Sequence, residues 1–453
     1  MRPYANDTLP GLRTRITVRT KLADIAQRAR ADKSSKFCSL AHLMGKGTLR
    51  EAFKRVSSSA APGIDGETKE IYKLHLEENL INLLEKLKRG TYKPLPVRRK
   101  YIPKAGSNKM RPLGIPALED KLVQTALVII LESIYEQDFL DFSFGFRPKR
   151  NCHEALKDLS RNIGTKKVSY IVEADIRGFF DHVDHEWLMK MLEHRVKDTK
   201  ILRLVKRFLK AGIMEEDTFI NTTEGVPQGG SLSPLLANIY LHYTLDPWFD
   251  KVIRKMSIGE AYLTRYADDF VVCFQYKRDA QLFYQSLKDR LAKFGLEVAE
   301  EKTRIIEFGR FAERDAKRRG DGKPETFDFL GITHYCGRSR KGRFKLKWKT
   351  ARKKYNAKVK DFAQWIKENR HQSLKEIWKT VNSKLRGHYQ YYGVSDNWQN
   401  LLNYKRQIII LLAKWLNRRS QRNNLEWSKF NKMLKLYPLE NPKSLVNLNS
   451  AYV

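Results

Sequence analysis

Two neighbouring carboxylates, Asp268 and Asp269, lie in the stretch Tyr262-Leu-Thr-Arg-Tyr-Ala-Asp-Asp-Phe-Val-Val-Cys-Phe274, between two β-rich runs, Tyr262 to Tyr266 and Phe270 to Phe274. The pattern reads as a tight hairpin with the acids at its turn. Strand side chains alternate faces, so adjacent Asp residues need a turn if both are to approach one point. Held that close they repel, and one keeps a proton unless a cation stands between them. Taken alone, the dipeptide is also an ordinary exposed turn. A third acid in a similar setting changes the balance: Lys167-Val-Ser-Tyr-Ile-Val-Glu-Ala-Asp-Ile176 is a hydrophobic strand that runs into Asp175. Three carboxylates at strand ends can hold two Mg²⁺ ions for in-line phosphoryl transfer. Asp175, Asp268 and Asp269 are therefore the candidate catalytic and metal-binding acids, with Ile176 counted among the metal-binding positions.

The acids are distant in the chain and must meet through the fold, as in the palm of a polymerase. The segments around them supply the matching parts. Val97 to Pro103 alternates like a strand, a turn follows from Lys104 to Lys109, and a second strand begins at Met110; Lys104 and Arg111 give this hairpin the charge to grip a triphosphate. Leu118 to Tyr135 is a long apolar helix. Phe144-Gly-Phe-Arg-Pro-Lys-Arg150 sets Arg147, Lys149 and Arg150 ahead of a helix beginning near Cys152, a placement that suits a phosphate backbone. Glu224-Gly-Val-Pro-Gln-Gly-Gly-Ser-Leu-Ser-Pro234 joins a Gly-rich turn to a helix over 235–245, where backbone can approach a base pair and Gln228 can hydrogen-bond the incoming nucleotide. His182 and His185 flank Asp184, and they read as neighbours of a helix N-cap rather than as a metal pair. Leu74, Leu80, Leu83, Leu84 and Leu87 recur at helical spacing and predict a core-facing helix over 72–87. Phe37 to Val56 also reads as helical; residues 1–36 are basic and helical only after Lys21, either as a solvated arm or as one that orders on RNA.

The 453 residues carry 87 Lys and Arg against 51 Asp and Glu, a formal charge of +36. Self-repulsion on that scale calls for a polyanionic partner, so nucleic acid is expected. From Arg338 to the end there are 28 basic and 6 acidic residues on a helical period, with Ala351, Tyr355, Val359, Phe362 and Ile366 on one face and Trp398, Leu401, Ile408, Leu412 and Trp415 on another. Basic helices with interleaved aromatics suit RNA binding. No apolar run approaches the ~18 residues of a membrane span, and the N-terminus lacks a signal-peptide core, so no membrane partner is expected. Cys38, Cys152, Cys273 and Cys336 form no close pair, which argues against a disulfide framework and a zinc ribbon and fits a reducing cytoplasm.

Asp175-Ile-Arg-Gly-Phe-Phe-Asp181, Gly225-Val-Pro-Gln-Gly-Gly-Ser-Leu-Ser-Pro-Leu-Leu-Ala-Asn238, Tyr266-Ala-Asp-Asp269 and Phe329-Leu-Gly331 resemble the ordered blocks of a reverse transcriptase. Arg111-Pro-Leu-Gly-Ile-Pro116 and Phe144-Gly-Phe-Arg-Pro148 narrow the resemblance to the bacterial group II intron reverse transcriptases, or maturases. The resemblance implies an α+β right-hand polymerase of fingers, palm and thumb with a basic, mostly helical thumb/maturase region. Its parts would be an N-terminal extension over 1–66, fingers and palm over 67–335, thumb/maturase helices over 336–420 and a short basic extension over 421–453. It further implies an RNA template, structured intron RNA, a DNA primer or target and deoxynucleoside triphosphates as partners. By the same resemblance Phe180, aligned through Asp181, lies under the sugar and excludes a 2′-hydroxyl, with one of Phe179 and Phe180 left to the core; Lys302 lies near the triphosphate. Leu385-Arg-Gly-His-Tyr-Gln-Tyr-Tyr392 is similar to the Arg-Gly-aromatic block of the maturase region and implies nucleic-acid contacts by Arg386 and Tyr389. No cysteine follows Cys336, so the optional zinc-binding nuclease domain is not expected. Three other readings share some of these features: a group II-like enzyme without an intron that serves DNA repair or phage defence, a non-catalytic RNA-binding splicing factor, and a transposase with an acidic triad.

Overall fold

The computed structural model describes residues 10–103, 110–215, 218–220, 224–227, 229–419, 425–443 and 446–449. Its centre is a four-stranded antiparallel sheet in the spatial order Ala261–Tyr266, Asp269–Phe274, Tyr170–Ala174, Arg304–Glu307. Both faces of this sheet are covered, which is why its strands read as continuous apolar runs. Val172, Ala174, Phe270, Val272 and Phe274 point into one core with the N-terminal and central helices, whereas Ile171, Val271, Cys273 and Ile306 point into a second core shared with the C-terminal helices. Alternation along two strands therefore ties the two halves of the molecule together.

Polar caps set the helix starts around this sheet. Asn151 and Glu154 form a reciprocal capping box at the start of Cys152–Thr165, and Ser373 and Glu376 do the same for Leu374–Tyr392. Asp184 caps His185–Glu193 through the Trp187 N–H, and His185 Nε2 sits 2.7 Å from the Gly225 carbonyl oxygen. Asp198 caps Thr199–Leu209 and also accepts from the backbone of Leu40 and Ala41, pinning the N-terminal region to the body.

A second sheet, ordered Met110–Ile115, Val97–Pro103, Ile213–Glu215, Thr218–Ile220, projects the expected basic hairpin. A third packs Phe327–Phe329, Ile332–Arg338 and Phe344–Thr350 antiparallel, so strands as well as helices follow residue 336. Helices Arg352–Asn369, Leu374–Tyr392 and Trp398–Asn417 then form a bundle, and Trp427–Leu436 lies beyond it.

Several local expectations change. The N-terminal helix runs from Pro10 to Ala31, well before Lys21, and Ala29 is buried against the body. Phe37 to Val56 is not one helix: Phe37 pairs with Val196 in an isolated bridge, and the helix proper is Lys46–Arg55. Leu74, expected in the core, is 78% exposed because the helix breaks at His75 between Lys69–Leu74 and Leu76–Arg89, which rotates it outward. Trp398 is also exposed, sitting at the first position of its helix before the buried stripe begins at Leu401.

Candidate active site

Sheet register brings the three acids to one end of the central sheet. Ala174 faces Phe270 as the last pair of the ladder, and Asp175 and Asp269 are the next residues outward on the two chains, close enough for Asp175 to act on the Asp269 carboxyl. Tyr266 pairs with Asp269, which leaves a two-residue turn of Ala267 and Asp268. Ala267 carries φ 57°, the left-handed conformation that such hairpin turns demand and that a residue with a β-carbon adopts only when its surroundings hold it there.

The surroundings are specific. Arg265, fully buried, donates to Asp246 through Nε at 2.8 Å and Nη2 at 2.6 Å, to Asn238 Oδ1 at 3.1 Å, and to the Ala267 carbonyl at 3.1 Å. Asn238 in turn donates to the Gly145 carbonyl at 2.7 Å. Gly145 presses against the turn so closely that a β-carbon there would lie 2.4 Å from Ala267 N. Arg265 and the 142–144 loop also exchange backbone bonds, Arg265 N to Phe142 O and Phe144 N to Arg265 O. Three sequence blocks, at 144–148, 225–238 and 266–269, thus close under one turn. Arg265 and Asp246 were not identified from the sequence; the signal was an Arg inside an otherwise buried strand, where a charge demands a partner.

Asp268 is half-buried, and its carboxyl is raised by burial and by Asp175, against the pull of Arg111 and Lys302. The Asp269 carboxyl is pushed up to about 7 by the protein packed around it, then by Asp268, Asp175 and Glu173, while the Leu330 N–H opposes the rise. Asp269 is nonetheless exposed, and solvent there works against the push. Asp175 is paired with the Lys302 ammonium. Among the described residues no three acidic, His or Cys side chains close on one point as a preformed cation cage. The donor chemistry nevertheless fits a hard divalent ion: oxygens only, with crowded carboxylates that a cation would relieve. Ile176 is 2% exposed with its side chain in the core, so it can offer a cation only its backbone carbonyl.

The remaining expected residues divide sharply. Arg111 is exposed on the hairpin strand and acts electrostatically on Asp268. Phe179 is 2% exposed, whereas Phe180 borders a cavity of about 190 Å³ with Arg99, Pro112, Gly114 and Pro227. The 224–227 loop is laced to this corner by Val226 N donating to the Phe180 carbonyl at 2.8 Å. Lys104 and Gln228 lie outside the described residues. Arg147 is turned inward, pairing with Glu136 at 3.1 Å and donating to the Leu140 and Ser143 carbonyls at 2.8 Å, so it holds the loop beneath the catalytic turn rather than reaching solvent. Arg150 is bound to Asp141 and lies over the Phe144 ring, which leaves Lys149 as the exposed base of the three. Tyr389 is buried and donates to the Glu440 carbonyl at 3.2 Å; Arg386, exposed, pairs with the Glu440 carboxylate at 3.1 Å. That face of the helix therefore receives the C-terminal segment.

Residues 102–334 match the family described as reverse transcriptase (RNA-dependent DNA polymerase). The chain is similar to the group II intron-encoded protein LtrA of Lactococcus lactis subsp. cremoris, 36% identical over 396 residues that cover 72% of this chain and 65% of that protein. It is 41% identical over 200 residues to protein YkfC of Escherichia coli K12, covering 43% and 52% of the two chains. A shorter match, 35% over 95 residues, is to nuclear intron maturase 1, mitochondrial, of Arabidopsis thaliana, covering 21% of this chain and 13% of that one. The chain thus spans less than two thirds of the length of these relatives.

Proposed function

The chain belongs to the reverse transcriptase family, and from that premise we propose that it is an RNA-directed DNA polymerase of the group II intron kind, extending a DNA primer on an RNA template and binding intron RNA to assist splicing and mobility. The observation that carries the polymerase reading is the register that brings Asp175 and Asp269 to the same end of two paired strands, beside the Asp268 turn. Two Mg²⁺ ions bound there would supply activation of the primer 3′-hydroxyl and charge stabilisation of the departing pyrophosphate. Asp175, Asp268 and Asp269 would hold them, with the Ile176 carbonyl as a further ligand.

The chain's own residues do the rest. Lys302 balances Asp175 in the absence of substrate and can turn its ammonium to a triphosphate, a point charge on a flexible stem. Arg111, exposed on its strand, adds cationic charge near the acids, and Lys104 would be a second cation for the triphosphate. Phe180 walls the cavity where an incoming sugar would lie, and Gln228 would meet the nucleotide from the Gly-rich loop. Lys149 and Arg386 remain candidates for contacts to nucleic-acid backbone because their charges reach solvent. Among the described residues no helix is long and apolar enough to cross a membrane. The four cysteines are free thiols, which suits the reducing cytoplasm we assign to the protein.

The test is extension of a DNA primer on an RNA template with Mg²⁺, comparing wild type with Asp268→Asn. The variant should lose orders of magnitude in rate while retaining RNA affinity, since the basic surface is untouched. Undiminished synthesis by the variant would sink the proposal.

A further inference from the structure

Helices Arg352–Asn369 and Leu374–Tyr392 both rest on Trp398–Asn417, and between them opens a cavity of about 500 Å³. Its floor holds His388, 6% exposed, stacked on the Tyr404 ring with centroids 3.7 Å apart. Neither ring nitrogen of His388 has a hydrogen-bond partner among the described residues. An unsatisfied buried polar group weakens a fold, and a plain aromatic would fill the same stack without that cost. One residue earlier, Gly387 sits in the middle of the helix with nothing within 4 Å of where a β-carbon would project. No contact among the described residues requires glycine there, and glycine weakens a helix interior. Lys358 and Lys384 are exposed at the rim, with Asp361 the one carboxylate among the cavity residues. At one end, Tyr391 donates to the Leu330 carbonyl at 3.0 Å, beside the turn whose N–H meets Asp269.

We infer that this groove is a docking site for an unpaired nucleotide of the bound strand, with its sugar-phosphate against Gly387 and the two lysines and its sugar or base edge hydrogen-bonded to His388. The gap between two helices sharing a third is too narrow for a duplex, whereas a single unstacked nucleotide can enter. A neutral imidazole offers one donor and one acceptor, which a 2′-hydroxyl or a base edge can satisfy together. Gly387 admits a backbone at close range, and the rim ammoniums neutralise its phosphates. Tyr389 serves the packing of the same helix against the C-terminal segment, and Arg386, solvent-exposed, pairs with Glu440 of that segment. The groove lies outside the catalytic acids and Phe180, and its nucleic-acid occupant rests on the polymerase reading.

The probes are short oligouridine and oligodeoxythymidine, titrated against full-length wild type, His388→Phe and Gly387→Leu, with thermal melting and wild-type primer extension measured on the same preparations. His388→Phe should melt no lower than wild type yet bind oligouridine about tenfold more weakly, the worth of one lost hydrogen bond. Gly387→Leu, whose β-carbon projects into open space, should lose a similar factor by filling the groove. Loss confined to oligouridine assigns the contact to the 2′-hydroxyl, and equal loss with both probes assigns it to the base. Unchanged affinity of both variants, with wild type still extending primers, overturns the groove alone. Absence of primer extension by wild type would remove the polymerase reading, and the groove's nucleic-acid assignment with it.

Discussion

Arg265 and Asp246 are each fully buried, joined by two hydrogen bonds, and placed so that the same guanidinium also holds the Ala267 carbonyl of the catalytic turn. Burial works against the Asp246 charge, but Arg265 and His242 outweigh it and keep the carboxyl below its ordinary range. Asp246→Asn would leave a buried guanidinium with half its partner, and Arg265→Met a buried carboxylate with only His242 beside it, 3.7 Å away. Each single change should destabilise the protein by about 3–5 kcal/mol, because an uncompensated buried charge is the dominant penalty. At about 2–4 °C per kcal/mol for a domain of this size, melting should fall on the order of 10 °C. The double variant Arg265→Met/Asp246→Leu removes both charges and should recover most of that stability, since an apolar pair of similar volume packs as well. Catalysis should not recover with it. Ala267 O and Asn238 Oδ1 lose their donor in the double variant, the turn at φ 57° loses a restraint, and a displacement of about 1 Å at Asp268 costs on the order of 10²-fold in rate. The assays are thermal melting and single-turnover nucleotide addition at saturating substrate. A double variant that regains rate together with stability would refute a positioning role, and single variants that melt within a degree of wild type would refute the buried-charge argument.

Phe180→Ala should raise the ratio of ribonucleotide to deoxynucleotide incorporation, whereas Phe179→Ala should leave the ratio alone and cost about 3–5 kcal/mol of stability, because Phe179 is 2% exposed in the core; incorporation ratios and melts on both variants decide it, and the reverse ranking would move the sugar contact to Phe179. His334 is fully buried, stacked on Phe327 at 4.7 Å, with Nδ1 3.1 Å from the Ile332 carbonyl, and burial pushes its imidazole down to about 3. The unfolded chain takes up that proton near 6.5 and the folded one does not until about 3, so stability should fall by about 1.4 kcal/mol per pH unit below 6.5, about 2 kcal/mol at pH 5. His334→Phe should flatten that part of the acid limb in denaturant titrations, with His388, pushed down likewise, accounting for a further share; an unchanged limb would refute the assignment. Arg147→Ala should weaken primer extension through stability of the 140–147 loop, not through RNA affinity, because its guanidinium faces Glu136 and two carbonyls; a selective loss of RNA affinity with unchanged melting would contradict this.

Local chemistry made much of this protein legible in one dimension. Asp268 at a turn between two apolar strands, Asp184 ahead of a helix, the helix start near Cys152 and the mostly apolar helix from Leu118 to Tyr135 are readable because period, capping and turn preference act within a few residues. Charge reads equally well, since a sum needs no fold. What the sequence could not determine is where a charge points. Arg147, Lys149 and Arg150 look alike as letters, yet only the packing of the 140–150 loop turns Arg147 inward, ties Arg150 to Asp141 and leaves Lys149 outside. Leu74 shares the period of its neighbours but is expelled by a helix break at His75 that periodicity does not register. Arg265 and Asp246 support the catalytic turn from separate elements, and Gly387 and His388 border a gap that exists only once three helices have met. Contacts of that kind depend on distance in space between segments far apart in the chain, a quantity set by tertiary packing and absent from any local pattern.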